Sequence, residues 1–282
     1  MKFDLHVHSH ASDGRTSPAG VVRAAEAGGL DMIALTDHDT CTGVVEALAA
    51  AEGRRLRVVA GIEVSTREPE GEFHILGYFV DPRSPAVLQH QERSVIRRTE
   101  RMHRMIERLE QLGVPITFQA VLAGADGEPA SLGRPHLARA LMVAGHVHSF
   151  GEAFERFLRD DAPAFVHTEF PSAREAIGMI HEAGGIAVWA HPPLHLFEAV
   201  VPRLAEQDLD GVECFRPTTP SFGIERLLAV TRSLGLVATG GSDWHGAHSG
   251  LLGDFRVDER QIPRMAELCA ARASAERGRS TP

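Results

Sequence analysis

Short apolar runs alternate with amphipathic stretches along most of the chain, and the early runs end in histidine or acid. Residues 2–8, "KFDLHVH", read as a strand entering a loop. "SPAGVVRAAEAGG" (17–29) reads as a helix: Ser17 suits the N-cap, Pro18 the first turn and Gly28-Gly29 the end. "LDMIALTDHD" predicts a buried strand with a polar end and "GVVEALAAAEGR" a helix. "LRVVAGIEVST" and "EFHILGYFV" predict two further strands. After "VDPRSPA" the rhythm becomes wholly helical, with one long pattern over 86–112 and several short helices over 117–160. The alternation returns near Phe165-Val166: helix 172–183, strand "IAVWAHP", helix 195–206, strand "DGVECF", helix 222–234 and strand "GLVATGGSDWHG".

Strands alternating with helices predict an α/β fold with a largely parallel sheet or barrel. The expected organisation is a discontinuous barrel over 1–85 and 163–270, a small helical insertion or lid over 86–162, and a flexible tail over 271–282. In such folds, sites gather at the carboxyl ends of the strands.

Composition narrows the class. No window holds 18 consecutive apolar residues, and the start, Met1-Lys2-Phe3-Asp4, lacks a signal-peptide core. The three cysteines, Cys41, Cys214 and Cys269, are far apart, which argues against a disulfide framework or a thiolate metal site. A reducing cytoplasm is the expected compartment. The formal charge of −9 argues against wholesale binding of duplex nucleic acid, so a polyanion is expected to meet only a local patch. No membrane contact and no protein partner are indicated.

The 16 histidines change the picture more. "DLHVHSHASDG" (4–14) places three of them among two aspartates, and His6 and His8, two apart, project to one side of a strand. The other strand ends supply Asp37-His38-Asp39, Glu63, His74, His191, and Asp243 with His245. Each cluster alone has an ordinary reading as a polar strand end, and His74 alone as a core histidine. Six such clusters of imidazole and carboxylate point instead to a multinuclear site for Mn²⁺, Zn²⁺ or Fe²⁺. One carboxylate can bridge two ions about 3.5–4 Å apart, the spacing used in phosphate-ester hydrolysis.

Taken in order, "DLHVHSHASDG", "ALTDHD", "GIEVS", "HILGYF", "AHP" and "GGSDWHG" resemble the polymerase-and-histidinol-phosphatase (PHP) family of metal-dependent phosphoesterases. The resemblance covers about 1–85 and 165–250. It implies a distorted (β/α)7 barrel with two or three divalent ions, Mn²⁺ being the first choice. It places His6, His8, Glu63 and Asp243 on one metal, and Glu63, His74 and His191 on a second. Asp13, His38 and His245 line a third position. Glu63, Asp13 and His38 are then the expected catalytic residues, with His38 a supplementary proton donor where the third metal is absent, and Asp13 and His38 also reaching the substrate. His10 has no slot in the pattern.

In the helix 93–112, Met102, Met105, Ile106, Leu109 and Leu112 share one face, while Arg93, Arg97, Arg104 and Arg108 lie opposite, as a solvated face would. Arg98 falls inside the apolar stripe and Arg101 at its edge. A buried guanidinium needs a partner. Either it forms a structural salt bridge, or Arg98 and Arg101 face a phosphate in the barrel mouth. "GRPH" sets Arg134 and His136 at a helix start, which favours anions. The R-x-x-R helix with the later G-R-P-H resembles the branch of nucleoside 3′,5′-bisphosphate phosphatases and 5′→3′ exoribonucleases. Arg98, Arg101, Arg134 and His136 are thus the expected substrate contacts, and Arg216 in "ECFRPTTPS" is a further candidate. The expected reaction is attack of a metal-activated water on the 3′-phosphate of a nucleoside bisphosphate (pAp to AMP). The alternatives are hydrolysis of short 5′-phosphorylated RNA, histidinol-phosphate hydrolysis, and a non-catalytic metal-binding module.

Overall fold

The computed structural model describes residues 1–125 and 130–279. The strands β1 (Lys2–Val7), β2 (Met32–Leu35), β3 (Arg57–Glu68), β4 (Gly71–Tyr78), β5 (Ile186–Ala190), β6 (Gly211–Phe215), β7 (Val237–Gly240) and β8 (Val257–Asp258) form one sheet. Its order is β7-β6-β5-β4-β3-β2-β1-β8. The pairs β1–β2, β2–β3, β5–β6 and β6–β7 are parallel; β4 is antiparallel to both neighbours, which distorts the barrel. The chain beyond β7 closes it: Asp243 N–H donates to His6 O at 2.9 Å, and His8 N–H to Trp244 O at 2.9 Å. This is the expected barrel with seven main strands. The two-residue β8, antiparallel to β1, carries too short a pattern to be read from sequence.

The outer helices are α1 (Pro18–Ala27), α2 (Thr42–Ala51), α7 (Ala173–Glu182), α8 (Phe197–Ala205), α9 (Ser221–Ser233) and α10 (Pro263–Arg279). Ser17 caps α1 by accepting from Gly20 N–H, as its sequence indicates. Helix α7 starts with a reciprocal capping box between Ser172 and Glu175. Phe3, Tyr78, Trp189 and Phe197 are fully buried in the main apolar cluster, each contributing about 1.5–3 kcal/mol by leaving water. Helix α10 continues to Arg279, past residue 270 where a flexible tail was expected; 280–282 lie outside the described residues. Among the described residues no helix is long and apolar enough to cross a membrane.

Between β4 and α7 come α3 (Pro85–Gln111), α4 (Phe118–Ala123), α5 (Arg134–Val143), α6 (Phe150–Ala153) and a π-helical turn, Phe154–Leu158. Residues 126–129, within the expected insertion, lie outside the described residues. These helices surround a separate apolar cluster that includes Met102, Met105, Leu109, Leu137, Leu141 and Phe157. Met102, Met105, Ile106 and Leu109 of the predicted stripe thus pack on the short helices after it, whereas Leu112, just past the end of α3, is exposed. The two parts meet beside the "HSHASDG" loop: Ala130 N–H and Ser131 N–H both donate to Ala11 O, and Arg139 donates to Asp13 O.

Candidate active site

The period of two along β1 turns Asp4, His6 and His8 toward one side, and all three are fully buried. Strand β3 delivers Glu63 and β4 delivers His74, while His191, Asp243 and His245 follow β5 and β7 directly. The turn after β2 carries His38 and joins β3, with Glu63 N–H donating to Asp37 O and Asp39 N–H to Glu63 O. Asp39, His191 and Asp243 have positive φ (55°, 33° and 59°), a strained backbone that concentrates at functional sites. The "GGSD" turn packs so closely on β1 that a Cβ on Gly241 would lie 2.3 Å from that of His6, so only glycine fits.

Glu63 stands at the centre. Its Oε2 lies 3.1 Å from both His6 Nε2 and His8 Nε2, and Asp243 Oδ1 lies 3.4 and 3.3 Å from the same two nitrogens. Its Oε1 lies 2.8 Å from His74 Nδ1 and 2.9 Å from His191 Nε2, which are 3.2 Å from each other. Ligand atoms about 2.1 Å from one ion stand about 3.0–3.4 Å apart. The donor set therefore fits metal on both sides of a shared carboxylate. Several of its atoms, His8 Nδ1, His8 Nε2 and His38 Nδ1, are buried with no hydrogen-bond partner among the described residues, as expected of atoms that take a metal. The third set is looser: Asp13 Oδ1 is 3.1 Å from His245 Nε2, and Asp13 Oδ2 is 3.8 Å from His38 Nε2. His38 also sets Nδ1 3.2 Å from Glu63 Oε2, so one ring spans two sets. His10 belongs to none of these sets.

Carboxylates to which the sequence reading gave no role in the site hold this array. Glu213, fully buried, accepts from His6 Nδ1 at 2.9 Å and from His191 N–H at 2.8 Å. Glu72 lies 3.3 Å from His74 Nε2. Asp37 accepts from Ser9 N–H, Ser9 Oγ and Ser12 Oγ, each at 2.7 Å, which fixes the histidine-rich loop. Such partners orient a ligand ring and select its tautomer. The available signal was a lone acid inside an apolar strand, as in "GVECF". Arg216 takes a different place from the one expected: it donates to Asp243 Oδ2 at 3.1 Å and lies 3.6 Å from Glu213, supporting a metal-side carboxylate.

The charges of the array hold one another. Burial works against every charge here, yet the imidazoles keep Glu63 and Asp243 well below the usual carboxylate range. In turn, against the same burial, Asp243 and Glu63 raise His8 to about 10, and Glu63 with Glu72 raises His74 to about 10. His38 differs: burial lowers it to about 3, so it is neutral at pH 7. A neutral imidazole suits a ligand or a proton acceptor, and the proton-donor role expected of His38 does not follow from its surroundings.

A cavity of about 160 Å³ opens over these groups, lined by Asp13, His38 and His74 on one side and by Arg98, Arg101 and Arg134 on another. The arginines differ in role. Arg98 takes the structural alternative, with Nε and Nη2 donating to Asp39 at 2.9 and 2.5 Å, Nη2 to Ser65 Oγ and Nη1 to Leu132 O. Arg101 donates from Nε to Val166 O, while its buried Nη2 has no partner among the described residues. Burial, with Arg134 nearby, lowers Arg101 to about 10, which leaves it cationic at neutral pH. Arg134 is bonded to Leu158 O and Asp160 and lies 3.8 Å from Glu72. His136 does not line the cavity: its Nδ1 accepts from Gly133 N–H and closes the start of α5.

The PHP domain family model matches residues 4–107. A 5′–3′ exoribonuclease of Haemophilus influenzae is 41% identical over 194 residues, covering 68% of this chain and 69% of that protein. A 3′,5′-nucleoside bisphosphate phosphatase of Chromobacterium violaceum is 32% identical over 253 residues, 88% of each. This chain belongs to the PHP family. The fold agrees: a solved Bifidobacterium adolescentis structure, described as a metal-dependent phosphoesterase, superposes with a TM-score of 0.85 at 32% identity, over 92% of this chain and 93% of that one. The protein is therefore a PHP-type metal-dependent phosphoesterase, and the clusters around Glu63 are its candidate metal centre.

Proposed function

We propose that this PHP phosphoesterase hydrolyses a phosphate ester of a nucleotide that carries a second phosphate. The leading substrate is a nucleoside 3′,5′-bisphosphate, losing its 3′-phosphate (pAp to AMP). The carrying observation is Arg101 Nη2, buried with no hydrogen-bond partner among the described residues, in a cavity that also contains Asp13, His38 and His74. A guanidinium donor left open in a desolvated wall suits a phosphate oxygen.

His6, His8, Glu63 and Asp243 would hold one divalent ion, and Glu63, His74 and His191 a second. Asp13, His38 and His245 offer a third position, with Mn²⁺ our first assignment. Such ions supply Lewis acidity toward a phosphoryl group and lower the pKa of an attacking water. Arg101 and Arg134 hold and orient the phosphate that is not cleaved. Arg98 keeps the Asp39 turn, and hence His38, in register. Neutral His38 is placed to accept a proton beside Asp13. Three buried free cysteines accord with a reducing cytoplasm.

A second reading is 5′→3′ cleavage of short 5′-phosphorylated RNA, favoured by the name of the 41%-identical relative. It requires the same chemistry beside a terminal phosphate. The deciding test offers Mn²⁺-loaded protein pAp, 5′-phosphorylated tetranucleotides, histidinol phosphate and p-nitrophenyl phosphate, scored as kcat/KM. We expect pAp or the oligonucleotide to lead by at least about tenfold; preference for histidinol phosphate overturns the nucleotide reading. Metal binding with no turnover of any substrate leaves the non-catalytic alternative.

A further inference from the structure

A second cleft, of about 510 Å³, lies between α3 and α7, outside the metal clusters. One α3 face supplies Gln89, Arg93 and Arg97, four or eight residues apart and so on one side of the helix. The opposite wall, formed by α7 and the segment before it, presents Phe170, Pro171 and Met179 beside acids of the same helix. Phe170 joins this cleft to the catalytic cavity: its ring centre is 5.7 Å from the Arg98 guanidinium and 5.9 Å from that of Arg101, both of which line that cavity.

The cations of the cleft are not used up. Arg93 has no ion pair among the described residues. Arg97 is half-buried; its Nη2 donates to Ser94 Oγ, but its Nε is buried with no hydrogen-bond partner among the described residues. Two acids also line the cleft, Glu175 and Glu182. Glu175 Oε2 already accepts from Ser172 N–H and Oγ, each at 2.8 Å. Paired arginines on one wall, an aromatic and apolar surface on the other, and acids able to accept from exocyclic amines suit one class of ligand. Phosphates would track the arginines, and bases would lie on the Phe170 side.

Building on the nucleotide reading above, we infer that the α3–α7 cleft binds the continuing strand of a single-stranded oligonucleotide whose phosphorylated end occupies the metal cavity. Phe170 is the shared wall over which that strand passes. The cleft thus tells an oligonucleotide from a mononucleotide.

The test measures anisotropy of a 5′-phosphorylated tetranucleotide carrying a 3′ fluorophore, with wild type and the double variant Arg93→Gln/Arg97→Gln. In parallel, KM is measured for the unlabelled tetranucleotide and for pAp. We expect the double variant to bind the oligonucleotide about tenfold more weakly. The ratio of KM for oligonucleotide to KM for pAp should rise by a similar factor, and the log–log salt slope should become shallower by about 1.4 for two lost phosphate contacts. A second variant, Met179→Glu, places an acid on the opposite wall and should act in the same direction. Equal weakening of pAp and oligonucleotide, unchanged oligonucleotide affinity, or no oligonucleotide binding by wild type overturns the cleft while leaving pAp hydrolysis intact. Failure of wild type to hydrolyse either nucleotide overturns the nucleotide reading instead, and anisotropy still decides the cleft.

Discussion

His6 Nδ1 lies 2.9 Å from Glu213 Oε1, with both side chains fully buried. The carboxylate accepts the Nδ1 proton, so that with a metal bound His6 Nε2 would serve as the lone-pair donor between Glu63 and Asp243. Because Glu213 also accepts the His191 backbone N–H, one side chain supports ligands on both sides of Glu63. Glu213→Gln is expected to lower metal affinity about 10- to 100-fold, read by competition with a chromogenic chelator. Affinity within a factor of two of wild type would show that His6 needs no such support.

Glu63→Ala removes the carboxylate that, alone among the described residues, touches His6, His8, His74 and His191 together. We expect bound metal to fall by about one ion or more per chain by elemental analysis, and turnover to drop by about 10³-fold or more. Circular dichroism should retain the α/β spectrum, since the barrel's apolar core is untouched. Retention of both metal and turnover contradicts the placement of Glu63.

Arg98 and Arg101, three residues apart, should fail in different ways. Arg98→Ala leaves Asp39 buried without its main counter-charge, which costs about 3–5 kcal/mol, visible as a lower urea midpoint. Arg101→Ala should cost less stability and raise KM for pAp about tenfold or more, with a smaller effect on p-nitrophenyl phosphate. Stability changes of the same size in both variants would remove the distinction.

The Arg98–Asp39 pair also sets an acid limit. Burial opposes the Asp39 charge, but Arg98 and His90 hold its carboxyl far below the usual range. A depressed folded pKa gives stability that is fully present above the unfolded value of about 3.9 and is lost as pH falls through the folded one. In wild type, then, this contribution should persist down to about pH 4 and fade only in stronger acid. In Arg98→Ala the unfolding midpoint should already fall between about pH 6 and 4.

Metal uptake should release protons. His8 and His74, raised to about 10, carry protons at pH 7 in the metal-free protein, and both must lose them to act as ligands. Affinity should therefore rise with pH by about one decade per unit for each proton displaced. Titration calorimetry in two buffers of different ionisation enthalpy counts them; zero net release contradicts the assignment.

Much of this architecture is legible in the chain because local rules suffice for it. The period of two in "DLHVH" and the polar ends of apolar runs locate His6, His8, His38, His74, His191, Asp243 and His245, and Glu63 follows from the same pattern. What was missed depends on contacts across the sequence. Glu213 meets His6 from 207 residues away, and nothing in "GVECF" itself names that partner. Arg98 was recognisable as a guanidinium needing a counter-charge, but only the fold brings Asp39, 59 residues earlier, beneath it. Arg97 sits on the face read as solvated, and α7 is what half-covers it.

The seam where Asp243 and Trp244 pair with β1 has a bearing on biosynthesis. His6 and His8 leave the ribosome 237 residues ahead of Asp243 and His245. A nascent chain therefore exposes imidazoles long before the acid that completes their cage exists, and stable loading with the correct cation must wait until the segment after β7 has emerged and paired with β1.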